Sequence, residues 1–340
     1  MVLHLPVSEV DRALRFCLKM DIGSREYEGN TIDIQGERKM FRSFAEIEKY
    51  IIEGDFKKKV VLAGSNDPDS LNSVVMAKRK NLIRAALVGD AAKTKQLLRE
   101  MGEHEDHYDI YDEPDERNAA HVACAMIHDG KADIPMKGKV ATADFMRAIL
   151  DKQYGFIPER GLLCQATVLE FTKENRLLVI SDCAVNIEPD YAAKKKILEG
   201  AVNLGHQLGM ECPKVAVIAP VEVVNPAMQS TVDAAMLSKA GQRGQIAGCV
   251  IDGPLALDNA IDIEAAAGKN VTGEVAGNAD VLIMPDLCTG NVFTKSLHYF
   301  AHLKQSGTIT GASIPVVMTS RTDTPEDKYC SILVSVLQSL

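Results

Sequence analysis

Residues 59–64 read Lys-Val-Val-Leu-Ala-Gly, and residues 84–89 read Arg-Ala-Ala-Leu-Val-Gly. Between them, positions 70–82 carry apolar residues at helical spacing. An apolar run without polar alternation suits a strand covered on both faces, as in a parallel sheet. The same exchange of apolar run and amphipathic stretch continues towards the C-terminus. Further strands are expected at 132–137, 162–171, 176–181, 214–222, 246–252, 279–285 and 314–319. Helices are expected at 93–102, 115–129, 141–150, 190–209, 230–241, 290–304 and 325–340. Such repeated βα units predict an α/β protein with right-handed crossovers.

Two features interrupt the series. Only Thr172-Lys173-Glu174-Asn175 separates the strands at 162–171 and 176–181, a connection suited to an antiparallel hairpin. Polar, Gly-bearing breaks fall at Asp151–Gly161 and at Gln305-Ser306-Gly307. At 340 residues the chain fits two domains, at roughly 150 residues each. The breaks place a discontinuous first domain at 41–157 plus 307–340 around a second at 158–306. Residues 1–40 form an N-terminal extension, with a helix expected from Ser8, as N-cap, to Met20.

Composition narrows the function classes. With 38 basic and 47 acidic residues the net charge is −9, the wrong sign for a general nucleic-acid surface. A few cations in a cleft can still hold a small anion. No apolar run reaches the ~18 residues of a membrane helix. The N-terminus lacks a secretory signal, so a cytoplasmic location is expected. The eight cysteines form no Cys-x-x-Cys pair and read as reduced, mostly core thiols.

In an open α/β sheet, ligands bind where strands lead into helix N-termini, whose free N–H groups favour anions. The last such loop, Thr319-Ser320-Arg321-Thr322-Asp323-Thr324-Pro325-Glu326-Asp327, joins hydroxyls, a guanidinium and carboxylates to a helix start. Thr324 suits the N-cap and Pro325 the first helical position. Asp286-Leu287-Cys288-Thr289-Gly290-Asn291 precedes the helix that bears Lys295; Gly290 would permit close backbone approach and Asn291 can donate hydrogen bonds. A third loop, Met136-Lys137-Gly138-Lys139, leads into a helix with Thr142 and Arg147. Arg147 also stands at salt-bridge spacing from Asp144 and Asp151. The fourth loop is Gly64–Ser70.

Other chemistries have weaker footing. Neither a dinucleotide fingerprint nor a P-loop is present. His104 and His107 lie between a helix and a short strand, and His298 and His302 lie four apart on a helix; both pairs read as ordinary histidines rather than metal ligands. No Gly-x-Ser-x-Gly elbow supports a serine hydrolase. Cys183, in Ser181-Asp182-Cys183-Ala184-Val185-Asn186, reads as a wall residue before a nucleophile.

Longer stretches are more specific. Asn225-Pro226-Ala227-Met228-Gln229-Ser230-Thr231-Val232-Asp233-Ala234-Ala235-Met236-Leu237-Ser238-Lys239 is followed by Gly244-Gln245-Ile246 and Asp252-Gly253-Pro254-Leu255-Ala256-Leu257-Asp258. Then come Thr272-Gly273-Glu274-Val275-Ala276-Gly277, Thr289-Gly290-Asn291 and Thr319-Ser320-Arg321-x-Asp323. In this order, and with Leu87-Val88-Gly89-Asp90 and Met136-Lys137-Gly138, they make the chain from about Phe41 to Leu340 resemble the phosphate acetyl/butyryltransferase family, most closely its butyryl branch.

The resemblance implies reversible transfer of a short acyl group between CoA and inorganic phosphate. It implies two three-layer αβα domains, with mainly parallel sheets and an interdomain cleft, like those of isocitrate and isopropylmalate dehydrogenases. It further implies a homodimer with no metal or redox cofactor, CoA serving as substrate. Ser320 and Arg321 match the pair that serves phosphate and the transition state, and an oxyanion donor of this kind is worth roughly 3 kcal/mol. Arg147 takes the place of a second family arginine, and Lys137, Gly290, Asn291 and Asp323 complete the substrate site. Acetyl-type members place the base at Asp327, whereas butyryl-type members keep Asp323. This chain has both, with Asp327 read as base and Asp323 as loop cap. Acyl length stays open. The competing readings are a decarboxylating metal- and NAD-dependent dehydrogenase of related fold and a non-catalytic acyl-CoA-binding protein.

Overall fold

The computed structural model describes residues 39–340. The helix expected at Ser8–Met20 lies outside them. The first sheet comprises β1 (Lys58–Ala63), β2 (Ile83–Gly89), β3 (Asp109–Asp112) and β4 (Ile134–Lys137). Its order is β3-β2-β1-β4, parallel throughout. The second comprises β5 (Cys164–Phe171), β6 (Arg176–Ser181), β7 (Lys214–Ile218), β8 (Val250–Leu255), β9 (Val281–Ile283) and β10 (Gln305–Thr310). Its order is β10-β5-β6-β9-β7-β8. Strands β6, β9, β7 and β8 are parallel, while β5 runs antiparallel to both β6 and β10.

Helices cover the sheets. They are α1 (Phe44–Gly54), α2 (Pro68–Arg79), α3 (Ala91–Glu100), α4 (Glu116–His128), α5 (Thr142–Ile149) and α6 (Tyr191–Gln207). Then follow α7 (Gln229–Gln242), α8 (Leu257–Ile261), α9 (Ile263–Gly268), α10 (Leu287–Ala301) and α11 (Pro325–Gln338). β1 and β4 are buried almost throughout, as their unbroken apolar runs require of a doubly covered sheet. The hairpin between β5 and β6 forms as expected, with Asn175 in the left-handed region at φ 50°.

Two stretches depart from the sequence reading. Gln305-Ser306-Gly307, read as a break, opens strand β10, and residues 307–310 pair with β5 in the six-stranded sheet. Its polar composition hid it: the Gly307 N–H is instead taken by the Ser331 hydroxyl at 2.9 Å. Conversely, the strand expected at 314–319 reduces to one bridging residue. Val317 pairs in parallel with Met136 on β4 and antiparallel with Thr308 on β10, so it joins the edges of the two sheets. The final helix then runs between them. From Asp327 to Leu337 every residue of α11 is buried, packed on α1, α2 and β10. Its second half is apolar apart from Ser335 and Gln338, and the buried polar side chains of its first turns are held by hydrogen bonds.

Candidate active site

Two adjoining cavities lie beyond the carboxyl ends of β1, β4 and β6, the place where α/β sheets receive ligands. The Thr319-Ser320 step lines both and forms the wall between them.

The first chamber, about 300 Å³, is lined by Asn291, Lys295 and His298 of α10, by Gln165 and Thr167 of β5, and by Asp323 and Asp327. It is rich in acceptors. Gln165, Gln305, Ser306 and Thr319 line it, and each carries a buried side-chain oxygen with no hydrogen-bond partner. Buried polar atoms are normally satisfied, so four orphans around one space mark a place for a polar ligand or water. Gln165 Nε2 donates to Ala166 O and Thr167 Oγ1, while its Oε1 has no partner.

The second chamber, about 340 Å³, is cationic. Arg321, Lys137, Lys139 and Lys328 line it, together with the N-terminal turn of α2. Asp67 caps that helix through the Ser70 N–H at 3.1 Å, and Pro68 occupies its first turn. Glu116 faces Lys139 at 3.7 Å. Lys137 is 3% exposed, and its Nζ reaches only the Gly138 and Val140 carbonyls, at 3.5 and 3.4 Å. Burial, and next the nearby Arg321 charge, hold its pKa below the usual lysine range. Lys328 is fully buried and donates to the Asp323 carbonyl at 2.8 Å.

The candidate residues from the sequence divide between these spaces. Ser320 stands at the shared wall, its Oγ 3.1 Å from Thr322 Oγ1. Asp323 accepts the Ser320 N–H at 2.7 Å, and burial pushes its carboxyl above the ordinary aspartate range, with the Asp327 charge adding to the shift. Asp327 closes a capping box on α11: its Oδ2 accepts from Thr324 N–H at 3.3 Å and Oγ–H at 2.7 Å, and its Oδ1 from Gln305 N–H at 3.3 Å.

Gly290 lines neither chamber. A Cβ there would sit 2.3 Å from the Asp182 carbonyl, so the backbone it admits is that of the Asp182 turn. Asn291 lines the first chamber and donates to Cys183 O at 3.2 Å, fastening α10 to the same turn. Arg147 also lines neither chamber; it pairs with Asp144 on α5. Cys183 is fully buried, and desolvation pushes its thiol far above the ordinary range, which suits a wall residue.

Sequence reasoning missed Gln165, Thr167, Ser306 and Lys328. His298 was weighed only as a metal ligand with His302, yet His302 ends α10 in the left-handed region at φ 51°. Alone, His298 enters the first chamber, its Nδ1 3.6 Å from Asp327 Oδ2. Among the described residues, no group of three or more His, Cys, Asp or Glu is placed to hold a metal ion.

These features define an α/β enzyme class with an anion-receiving chamber set against an acceptor-rich one at the carboxyl ends of its strands. The chain belongs to the phosphate acetyl/butyryl transferase family of acyltransferases: the pattern described as "Phosphate acetyl/butaryl transferase" matches residues 113–336. A phosphate butyryltransferase of Clostridium acetobutylicum is 43% identical over 298 residues, covering 88% of this chain and 98% of that protein. A phosphate acetyltransferase of Thermotoga maritima is 39% identical over 280 residues, 82% of this chain and 95% of that one. The crystal structure of a branched-chain phosphotransacylase from Enterococcus faecalis V583 matches with a TM-score of 0.74 at 29% identity, covering 83% of this chain and 99% of that one. Among the described residues, no helix is long and apolar enough to cross a membrane.

Proposed function

We propose that this enzyme transfers a short-chain acyl group reversibly between CoA and inorganic phosphate, with a butyryl-sized group as its substrate. The observation that carries the reading is the sorting of charge across one residue, Ser320. Phosphate belongs in the cationic chamber, where the Arg321 fork, Lys137 and the α2 N-terminus replace its water. The thioester and its pantetheine arm belong in the acceptor-rich chamber, whose orphaned amide and hydroxyl groups suit a neutral ligand with N–H groups. The acyl carbon then meets phosphate at the wall, and the Ser320 hydroxyl is the donor for the oxygen that gains charge.

In this reading Ser320 and Arg321 are catalytic, while Lys137, Asn291 and Asp323 shape the substrate site. Gly290 acts by letting α10 approach the Asp182 turn, and Arg147 reaches substrate only by leaving Asp144. Asp327 supplies a carboxylate to the thiol side. CoA is a substrate, and no further cofactor belongs to the scheme. A cytoplasmic homodimer completes it; the exposed apolar residues Val223, Val224, Met228 and Met236, on and before α7, support the dimer.

The test is release of free thiol from C2–C5 acyl-CoA esters with and without phosphate. Phosphate-dependent release with a maximum near C4 is expected, and none with any ester rejects the proposal. Arg321→Ala should lose about 10²-fold or more in kcat/KM for phosphate.

A further inference from the structure

Two buried lysines, Lys137 and Lys328, line the cationic chamber, and among the described residues neither ammonium has a carboxylate within ion-pair reach. Taking a lone cation out of water is costly unless opposite charge and hydrogen bonds replace that water. Lys328 is 1% exposed, in a stretch of α11 where every residue is buried. Its ammonium carries three N–H donors, and only one is used, on the Asp323 carbonyl at 2.8 Å. The Asp323 carboxylate is itself turned to the Ser320 N–H at 2.7 Å. Burial first, then the charges of Arg321 and Lys328, hold the Lys137 pKa low, so the three cations act on one space. Around that space Lys137, Lys139, Arg321 and Lys328 stand against Asp67 and Glu116, a formal surplus of two positive charges. Asp67 is committed to the cap of α2 and Glu116 faces Lys139.

We propose that Lys328 donates its remaining N–H groups to the anion in this chamber and makes the seat one for a doubly charged oxyanion, inorganic phosphate. The inference rests on the reaction proposed above. One ammonium then serves two partners. Through the Asp323 carbonyl it fixes the loop that carries Ser320 and Arg321, and through its other donors it holds the ion that the loop faces. A singly charged anion leaves one buried positive charge uncompensated, whereas a dianion matches the surplus. The phosphates of CoA offer the same chemistry as the inorganic ion, and the two sources are separated by varying each substrate in turn.

Initial rates of phosphate-dependent thiol release from butyryl-CoA test this. Lys328→Gln keeps an N–H donor for the Asp323 carbonyl and removes the charge. It should raise the KM for phosphate about 10- to 100-fold, with the KM for butyryl-CoA within roughly threefold of wild type. A mere brace for the loop would behave otherwise: Lys328→Gln would pass for wild type, and Lys328→Met would lower kcat without separating the two KM values. An unchanged phosphate KM in Lys328→Gln overturns the assignment. So does a rise in the butyryl-CoA KM alone, which would give the cation to the phosphates of CoA. Melting temperatures read the seat without turnover. At millimolar concentration and equal ionic strength, phosphate and sulfate should raise that of wild type and nitrate should not; equal stabilisation by nitrate overturns the preference for a dianion. In Lys328→Gln the rise with phosphate should largely vanish. If wild type proved inert towards every acyl-CoA, loss of that rise in Lys328→Gln would still uphold the seat, so failure of the reaction and failure of the seat are told apart.

Discussion

The carboxylate of Asp323 accepts the backbone N–H of Ser320 at 2.7 Å, so the residue at the wall between the chambers is held by a group three positions along. Because burial raises the Asp323 pKa, ionising it costs stability. The cost is absent below the ordinary carboxylate range, grows as pH climbs to the raised value, and is constant above it. Asp323→Asn keeps an acceptor for Ser320 and removes the charge. Urea unfolding should show it at least as stable as wild type at pH 7, with the gap closing in acid. Asp323→Ala, which frees the N–H, should be the less active of the two.

Lys137 is a buried cation with Arg321 beside it and only long contacts to carbonyls. Without an anion its charge opposes folding, and phosphate reverses that by raising its pKa. Lys137→Met should therefore match or exceed the wild-type melting temperature in buffer. In wild type, millimolar phosphate should raise that temperature, by less as pH passes upward through the depressed lysine pKa. In Lys137→Met most of the phosphate effect should be gone.

A buried pair elsewhere is structural. Lys194 on α6 meets Asp233 on α7 at 2.7 Å, both side chains almost fully buried, and Gln229 donates to the same carboxylate at 2.8 Å. Asp233→Asn leaves the ammonium without its counter-charge and should cost about 3–5 kcal/mol in urea unfolding. The double variant Lys194→Met/Asp233→Leu should recover most of that loss.

Gly290→Ala forces a methyl against the backbone of Asp182. Neither side is a flexible side-chain end, so the start of α10 must move. Calorimetry should show a loss of about 1–3 kcal/mol. Turnover should fall further than stability predicts, since α10 carries Asn291 and His298.

The fold was legible because its buried strands are unbroken apolar runs and its helices carry caps such as Thr324-Pro325. β10 escaped because Gln305, Ser306 and Gly307 answer to the Ser331 hydroxyl and to a cavity rather than to an apolar layer. The Ser320-Arg321 loop was visible from its residue types. His298 was not, since its partner lies 29 positions away across the cleft. The longest family stretch, around Asp233, lines neither chamber, and its aspartate lies in a buried ion pair between two helices.

Val317 gives the chain a seam one residue wide. Its own N–H donates to the Pro135 carbonyl and its carbonyl accepts from Lys137 N–H, while on the other side Ile309 N–H donates to the Val316 carbonyl, and three residues later the backbone reaches Ser320. The Ser320 hydroxyl thus hangs from the stitch that joins both halves, and its position is the sum of theirs. Changes at remote sheet edges that nudge either half should surface first as slowed turnover in a protein that still folds.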